Sequence, residues 1–168
     1  MKLPIKYLVV ISIVIALAIA FVISLSTKPV APAVEFTSLE GKKVALQSLQ
    51  GKVVLINFWA TDCPGCVVEM PQLVQTYKKY QSHGLEVYAV AMAYDPPNYV
   101  MAYAKNNGLP FPVALDPQGQ LAKAFKGVQL IPTTFVIDKQ GKILQQTVGV
   151  LDFNKLHALL DKELKPAL

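Results

Sequence analysis

Hydrophobic and polar residues follow several distinct rhythms along the chain. Tyr7 to Leu25 is a run of 19 residues without a charge, interrupted only by Ser12 and Ser24. That is about the length a helix needs to cross a bilayer core of roughly 30 Å. Ser26 to Val34 holds two prolines, small residues and one charge, the pattern of an extended tether. Val53 to Phe58 is a continuous apolar run with β-branched residues, as in a strand buried on both faces, and Leu85 to Met92 reads as a second central strand. From Pro64 to about Ser82 the period becomes helical, with Val67, Met70, Leu73, Val74 and Tyr77 on one stripe. Pro64 suits a first turn and Gly84 marks the end. Pro71 lies inside this helix and is expected to kink it, because it removes the amide that would bond the carbonyl of Val67.

The remaining rhythm is shorter. Glu35 to Leu46 reads as a hairpin with Gly41 in its turn. Asp95-Pro96-Pro97 begins a helix that runs to Asn107-Gly108, Phe111 to Leu115 is a short strand, and Gln118 to Lys126 a short helix closed by Gly127. Thr133 to Ile137 and Lys142 to Val148 flank a turn at Asp138 to Gly141, and Asp152 caps a terminal amphipathic helix ending near Leu164. The expected organisation is a signal anchor over 1–25, a linker over 26–34 and one α/β domain over 35–168.

Charge changes the picture mainly at the N-terminus. Lys2 and Lys6 precede the apolar run, which leaves the N-terminus in the cytoplasm and sends the domain outward. A cleaved signal peptide is the alternative, with small residues at Ala18-Ile19-Ala20 and Ala31-Pro32-Ala33. The run is longer than the usual apolar region of about 7–15 residues, which favours an uncleaved anchor. On either reading the domain is exported, to the periplasm or equivalent extracytoplasmic space. The net charge is +5, yet Lys2, Lys6 and Lys28 supply three of the 16 basic residues, so residues 29–168 carry 13 against 11 acidic ones. A near-neutral domain is not a nucleic-acid binder. Every basic residue is Lys, so bidentate recognition by guanidinium is unavailable.

The candidate chemistry lies between the first strand and its helix. Cys63 and Cys66 are the only cysteines, spaced as CxxC. A bridge closing so short a loop is a poor structural staple. The thiolate is the nucleophile in disulfide exchange, and a cysteine just before a helix faces unpaired N–H groups and the positive end of the dipole, which favour that form. Cys63 is then the exposed nucleophile and Cys66, one turn in, the buried resolving thiol. Asp62 opposes the thiolate if it points at the sulfur; otherwise it is a solvated carboxylate that caps the helix. Glu69 lies one turn below Cys66. Buried, it could move protons to and from Cys66; exposed, it is an ordinary surface residue. Ile131-Pro132 invites a cis bond before a strand, with the Ile131 backbone free to pair with an extended substrate. Residues expected to meet a substrate are Trp59, Asp62, Pro64, Gly65, Ile131 and Thr133. No cofactor beyond the redox-active disulfide is expected, and His83 and His157 lack the spacing of a zinc site.

The segments Gly51 to Thr61, the CxxC, Glu69-Met70-Pro71 and Ile131 to Asp138 together resemble the membrane-anchored, extracytoplasmic thioredoxin-like proteins of the TlpA/ResA type, in the AhpC/TSA-redoxin superfamily. The resemblance covers about residues 35 to 165. It implies a thioredoxin-like fold, a central mixed sheet flanked by helices, with an N-terminal hairpin extension and an extra helix and strand near 95–115. It implies a protein-disulfide reductase fed by a membrane electron donor, acting on exported thiol proteins such as apocytochrome c. Cys63 becomes nucleophile, Cys66 resolving thiol, Pro132 the cis proline and Glu69 an active-site acid. Asn57 stands where ordinary thioredoxins carry an Asp, and Asp62 where a Trp is usual. A peroxiredoxin-like peroxidase is discounted because Thr61 lies two residues before Cys63, where that chemistry needs three. A non-catalytic thiol- or metal-binding module is the other alternative.

Overall fold

The structure, a computed structural model, describes residues 13–17 and 28–165. The expected membrane span lies outside these residues except for 13–17, which are helical. Among the described residues no helix is long and apolar enough to cross a membrane.

The hairpin forms as β1 (Glu35–Thr37) and β2 (Lys43–Ala45), antiparallel, with Gly41 turning at φ +80°. The apolar run becomes β3 (Val53–Trp59), all seven residues buried. Helix α1 (Pro64–Tyr80) follows and continues through Pro71 without interruption; a short 3-10 helix, Gln81–His83, leads into Gly84. Then come β4 (Leu85–Ala91), α2 (Pro97–Asn106), β5 (Val113–Leu115), α3 (Gln120–Ala124), β6 (Thr133–Ile137), β7 (Ile143–Val148) and α4 (Phe153–Glu163).

Five strands make one mixed sheet in the order β5-β4-β3-β6-β7, with β3, β4 and β5 parallel and β6 and β7 antiparallel to their neighbours. Alternation along β3 splits the core. Val53, Leu55 and Trp59 pack with Met70 and Leu73 of α1 and Leu156 and Leu160 of α4. Val54, Ile56 and Phe58 pack with Phe36 of the hairpin and with Phe125 and Phe135. The expected α1 stripe holds at Met70 and Leu73, but Val67 is 37% exposed. Its place is taken by Cys66 and Glu69, because the face of α1 that meets the sheet begins at the CxxC.

Register decides where the site lies. Phe58 pairs Thr133 and Trp59 pairs Ala91, so the end of β3, the start of β6 and the end of β4 share one end of the sheet. At the opposite end the segment read as a tether is part of the domain from Pro29 onward. Ile143 N–H donates to Pro29 O (2.8 Å), Ala31 N–H to Gly141 O (2.9 Å) and Leu46 N–H to Val34 O (2.9 Å). The other sheet edge is covered by a bond from Leu39 N–H to Val113 O (2.9 Å).

Leu156, like Leu160, is a fully buried contact of α4 with the sheet side that carries α1. Truncating a buried Leu removes transfer free energy and leaves a cavity. Leu156→Ala is expected to lower unfolding stability by about 3 kcal/mol, read as a shifted urea midpoint at unchanged slope.

Candidate active site

Cys63 is itself the N-cap of α1, with extended backbone, and Pro64 occupies the first turn. Cys66 N–H donates to Cys63 Sγ at 3.2 Å, and Val67 N–H to Cys63 O at 3.1 Å. The Cys66 amide thus points at the sulfur where a thiolate would form, which favours the anion, while the Val67 amide closes the first turn of the helix. Cys63 and Cys66 are joined as a disulfide, with Cα atoms 5.3 Å apart. The two sulfurs are not equivalent: Cys63 is partly exposed, whereas Cys66 is fully buried. Asp62 is exposed and does not cap the helix, since Cys63 does. Burial first, and then the charges of Asp62 and Asp95, push the Tyr94 phenol up.

Glu69 is buried, at 1% exposure. Asn57 Nδ2 donates to Glu69 Oε1 (2.8 Å) and also to Thr134 Oγ1 (3.0 Å), and Leu151 N–H donates to Glu69 Oε2 (3.0 Å). Burial raises its pKa above the ordinary value, while the bonds from Leu151 and Asn57 pull the other way. Asn57 Oδ1 is buried and has no hydrogen-bond partner among the described residues.

The Ile131-Pro132 bond is cis. Pro132 is buried and Ile131 partly exposed. Thr133 is buried, its hydroxyl donating to Leu130 O (2.7 Å). A Cβ on Gly65 would lie 3.2 Å from Val150 Cγ2 and 3.5 Å from Pro132 Cδ, so glycine lets the start of α1 sit tightly against Val150, with the cis proline at ordinary contact distance. Leu130, Val67, Val68 and Val150 leave apolar surface exposed on the loops and helix start around it. One expected contact residue is misplaced. Trp59 is fully buried against Tyr103, with ring centroids 5.0 Å apart, so it supports the loop from inside and presents no surface to a substrate. The reason is register: Trp59 pairs Ala91 in the sheet and points into the core under α1 and α2.

Sequence reasoning missed Leu151 and Val150, whose backbone and methyls carry no chemical signature, and Asp95, which read only as a helix start. Asp95 is buried and accepts from both Thr61 N–H and Thr61 Oγ1–H, each at 2.7 Å. Among the described residues no group of three or more His, Cys, Asp or Glu could hold a metal ion.

The redoxin family model matches residues 26–160. A thiol-disulfide oxidoreductase ResA of Bacillus thuringiensis (strain Al Hakam) is 41% identical over 132 residues, covering 79% of this chain and 75% of that protein. The solution structure of a Neisseria meningitidis protein described as a thioredoxin superposes with TM-score 0.75 at 44% identity, over 82% of this chain and 91% of that one. A thiol:disulfide interchange protein of the thioredoxin family from Chlorobium tepidum TLS gives TM-score 0.75 at 30% identity, over 83% and 99%.

A raised pKa at Glu69 means that the folded protein binds this proton more tightly than the unfolded chain does. The stability tied to it is complete below the unfolded value of 4.5 and is lost as pH rises through the folded value. Glu69→Gln removes that titration. Urea unfolding of the two proteins from about pH 4 to about pH 8 should show the wild type losing ground to the variant as pH rises; parallel curves would mean that folding does not raise the carboxyl's pKa.

Proposed function

The chain belongs to the redoxin family and is a thiol–disulfide oxidoreductase with a thioredoxin-like fold, and from that premise we propose that it is a membrane-anchored reductase working outside the cytoplasm on disulfides of exported proteins. The observation that carries the reading is the inequality of the two sulfurs, one reachable at the helix N-terminus and the other sealed behind it.

In the reduced protein the Cys63 thiolate attacks one sulfur of a target disulfide. A bond forms between Cys63 and that sulfur, and the target's other sulfur leaves as a thiolate and takes a proton. Cys66, deprotonated, attacks Cys63 Sγ, and the second target sulfur leaves. Two electrons have passed to the target, and Cys63 and Cys66 are joined. Glu69 is the acid–base group of the second step, accepting the Cys66 proton through the buried layer below it. Pro132 bounds the groove, and Ile131 offers its backbone to the target strand beside Pro64, Gly65 and Asp62. The cycle closes when a membrane dithiol donor returns two electrons.

The target class fits an apocytochrome c carrying an oxidised cysteine pair, since a partly exposed sulfur flanked by apolar surface suits an extended cysteine-bearing segment. The uncharged run 7–25 supports the anchor. With Pro29 to Ala31 bonded beside the start of β7, such an anchor joins the domain at the end of the sheet opposite the CxxC. Seven residues of β3, at roughly 3.3 Å each, then put the redox face about 20 Å further from the bilayer than the attachment point. The peroxidase alternative loses ground at Thr61, whose hydroxyl is given to Asp95.

A redox titration against glutathione or dithiothreitol is expected to give a potential nearer roughly −270 mV than the −120 mV of a strong oxidant. A value above about −195 mV, the middle of that range, would overturn the assignment as a reductant. Cys66→Ser is expected to hold target proteins on Cys63 as mixed disulfides that dithiothreitol releases, and Cys63→Ser to hold none. Equal trapping by both variants would reverse or remove the assigned roles.

A further inference from the structure

We propose that Asp95 is a positioning residue of the redox site: through Thr61 it fixes the loop that presents Cys63, and its charge disfavours the Cys63 thiolate. The proposal rests on Cys63 being the nucleophile.

Asp95 lies between β4 and α2, far from the CxxC in sequence, yet it is 5% exposed and aimed at the loop after β3. Each carboxylate oxygen has its own donor: Oδ2 takes the Thr61 N–H and Oδ1 the Thr61 hydroxyl, both at 2.7 Å. Asp95 is held in turn by its own N–H on Met92 O (3.0 Å), and Met92 N–H bonds Trp59 O (2.9 Å). The loop from Trp59 to Thr61 is therefore bracketed from the β4 side. Cys63 N–H closes back on Ala60 O (3.3 Å), which starts the helix from a fixed point. Paired hydrogen bonds to a charged acceptor are stronger than neutral ones and more specific in geometry.

The charge is not neutralised by a base. Among the described residues the salt bridges join Lys43 to Glu35, Lys52 to Glu86 and Lys155 to Asp152, and none involves Asp95. Asp62 adjoins Cys63 in sequence and Asp95 is bonded to Thr61, so both bring a carboxylate to the loop that carries the sulfur. Thr61 is two residues from Cys63, so with about 3.8 Å per step, the bond to Asp95 and the reach of the cysteine side chain, the carboxylate lies within roughly 15 Å of the sulfur. At that range, behind partly buried chain, one negative charge shifts a neighbouring anion's equilibrium by roughly threefold to tenfold. The helix N-terminus favours the Cys63 thiolate and Asp95 opposes it, so the thiol is less acidic than its place on the helix alone would make it.

The test uses the reduced protein. Asp95→Asn keeps the shape and one acceptor and removes the charge. The Cys63 thiolate fraction near pH 7, followed by thiolate absorbance at about 240 nm in a Cys66→Ser background, is expected to rise roughly threefold to tenfold. A purely structural role would lower the melting temperature and leave that fraction unchanged, which would overturn the electrostatic part. Thr61→Val removes the hydroxyl donor and leaves the charge. It is expected to slow insulin disulfide reduction at least threefold without raising the thiolate fraction, while Thr61→Ser restores the rate. Equal rates for Val and Ser would overturn the positioning part, and this pair decides that part even if Asp95→Asn does not fold. If Cys66→Ser, with Asp95 and Thr61 intact, shows no titrating thiolate and traps no target, the reading of Cys63 as nucleophile fails instead.

Discussion

A single carboxyl group shut away from water joins the separate pieces of this redox site. Glu69 projects from α1 and receives Asn57 of β3 and the backbone of Leu151 ahead of α4, and Asn57 in turn reaches Thr134 of β6. Helix start, central strand, the strand behind the cis proline and the loop carrying Val150 are thus held by three short bonds at one depth. Burying a carboxyl without partners is costly, and leaving its donors unpaired costs about as much again. The four segments therefore have reason to stay together. An Asp at position 57 would set two buried acids against each other and make them share a proton. The amide instead donates to both neighbours, at the expense of an Oδ1 that no group among the described residues satisfies.

Most of the fold was legible because its signals are local. The uninterrupted apolar run at Val53 announced a strand buried on both faces, Pro64 and Gly84 bracketed α1, and Asp152 does cap α4, accepting from Asn154 and Lys155 N–H. The cysteine spacing announced the redox chemistry. What was not legible depends on register and on partners distant in sequence. Trp59 beside a CxxC looks like a contact residue, and only its pairing with Ala91 shows that it faces inward. Val67 fits a helical stripe by spacing, but the stripe faces the sheet only from Cys66 and Glu69 onward. Leu151 acts through a backbone N–H that any residue but proline would supply. Pro29 to Val34 has the composition of a linker and is nonetheless bonded to the domain, because edge pairing with Gly141 and Ile143 needs only backbone.

The electrostatics of the site are an argument between the helix and the carboxylates. The N-terminus of α1 points the Cys66 amide at the Cys63 sulfur, and in isolation this would make a reactive, oxidising thiol. Asp62 beside it in sequence and Asp95 behind Thr61 oppose this with negative charge that no lysine pairs with in an ion pair among the described residues. Raising the free energy of the thiolate favours the protonated dithiol and weakens the pull of the disulfide for electrons. The chain thus combines a helix that makes Cys63 reactive with side chains that keep it a donor. Asp62 contributes from the solvent side, where its field is screened. Asp95 contributes from within the protein, where the same charge acts through a lower dielectric and counts for more. Of the two acids, the one hidden behind Thr61 is therefore the stronger influence on the sulfur, although Asp62 is its neighbour in sequence.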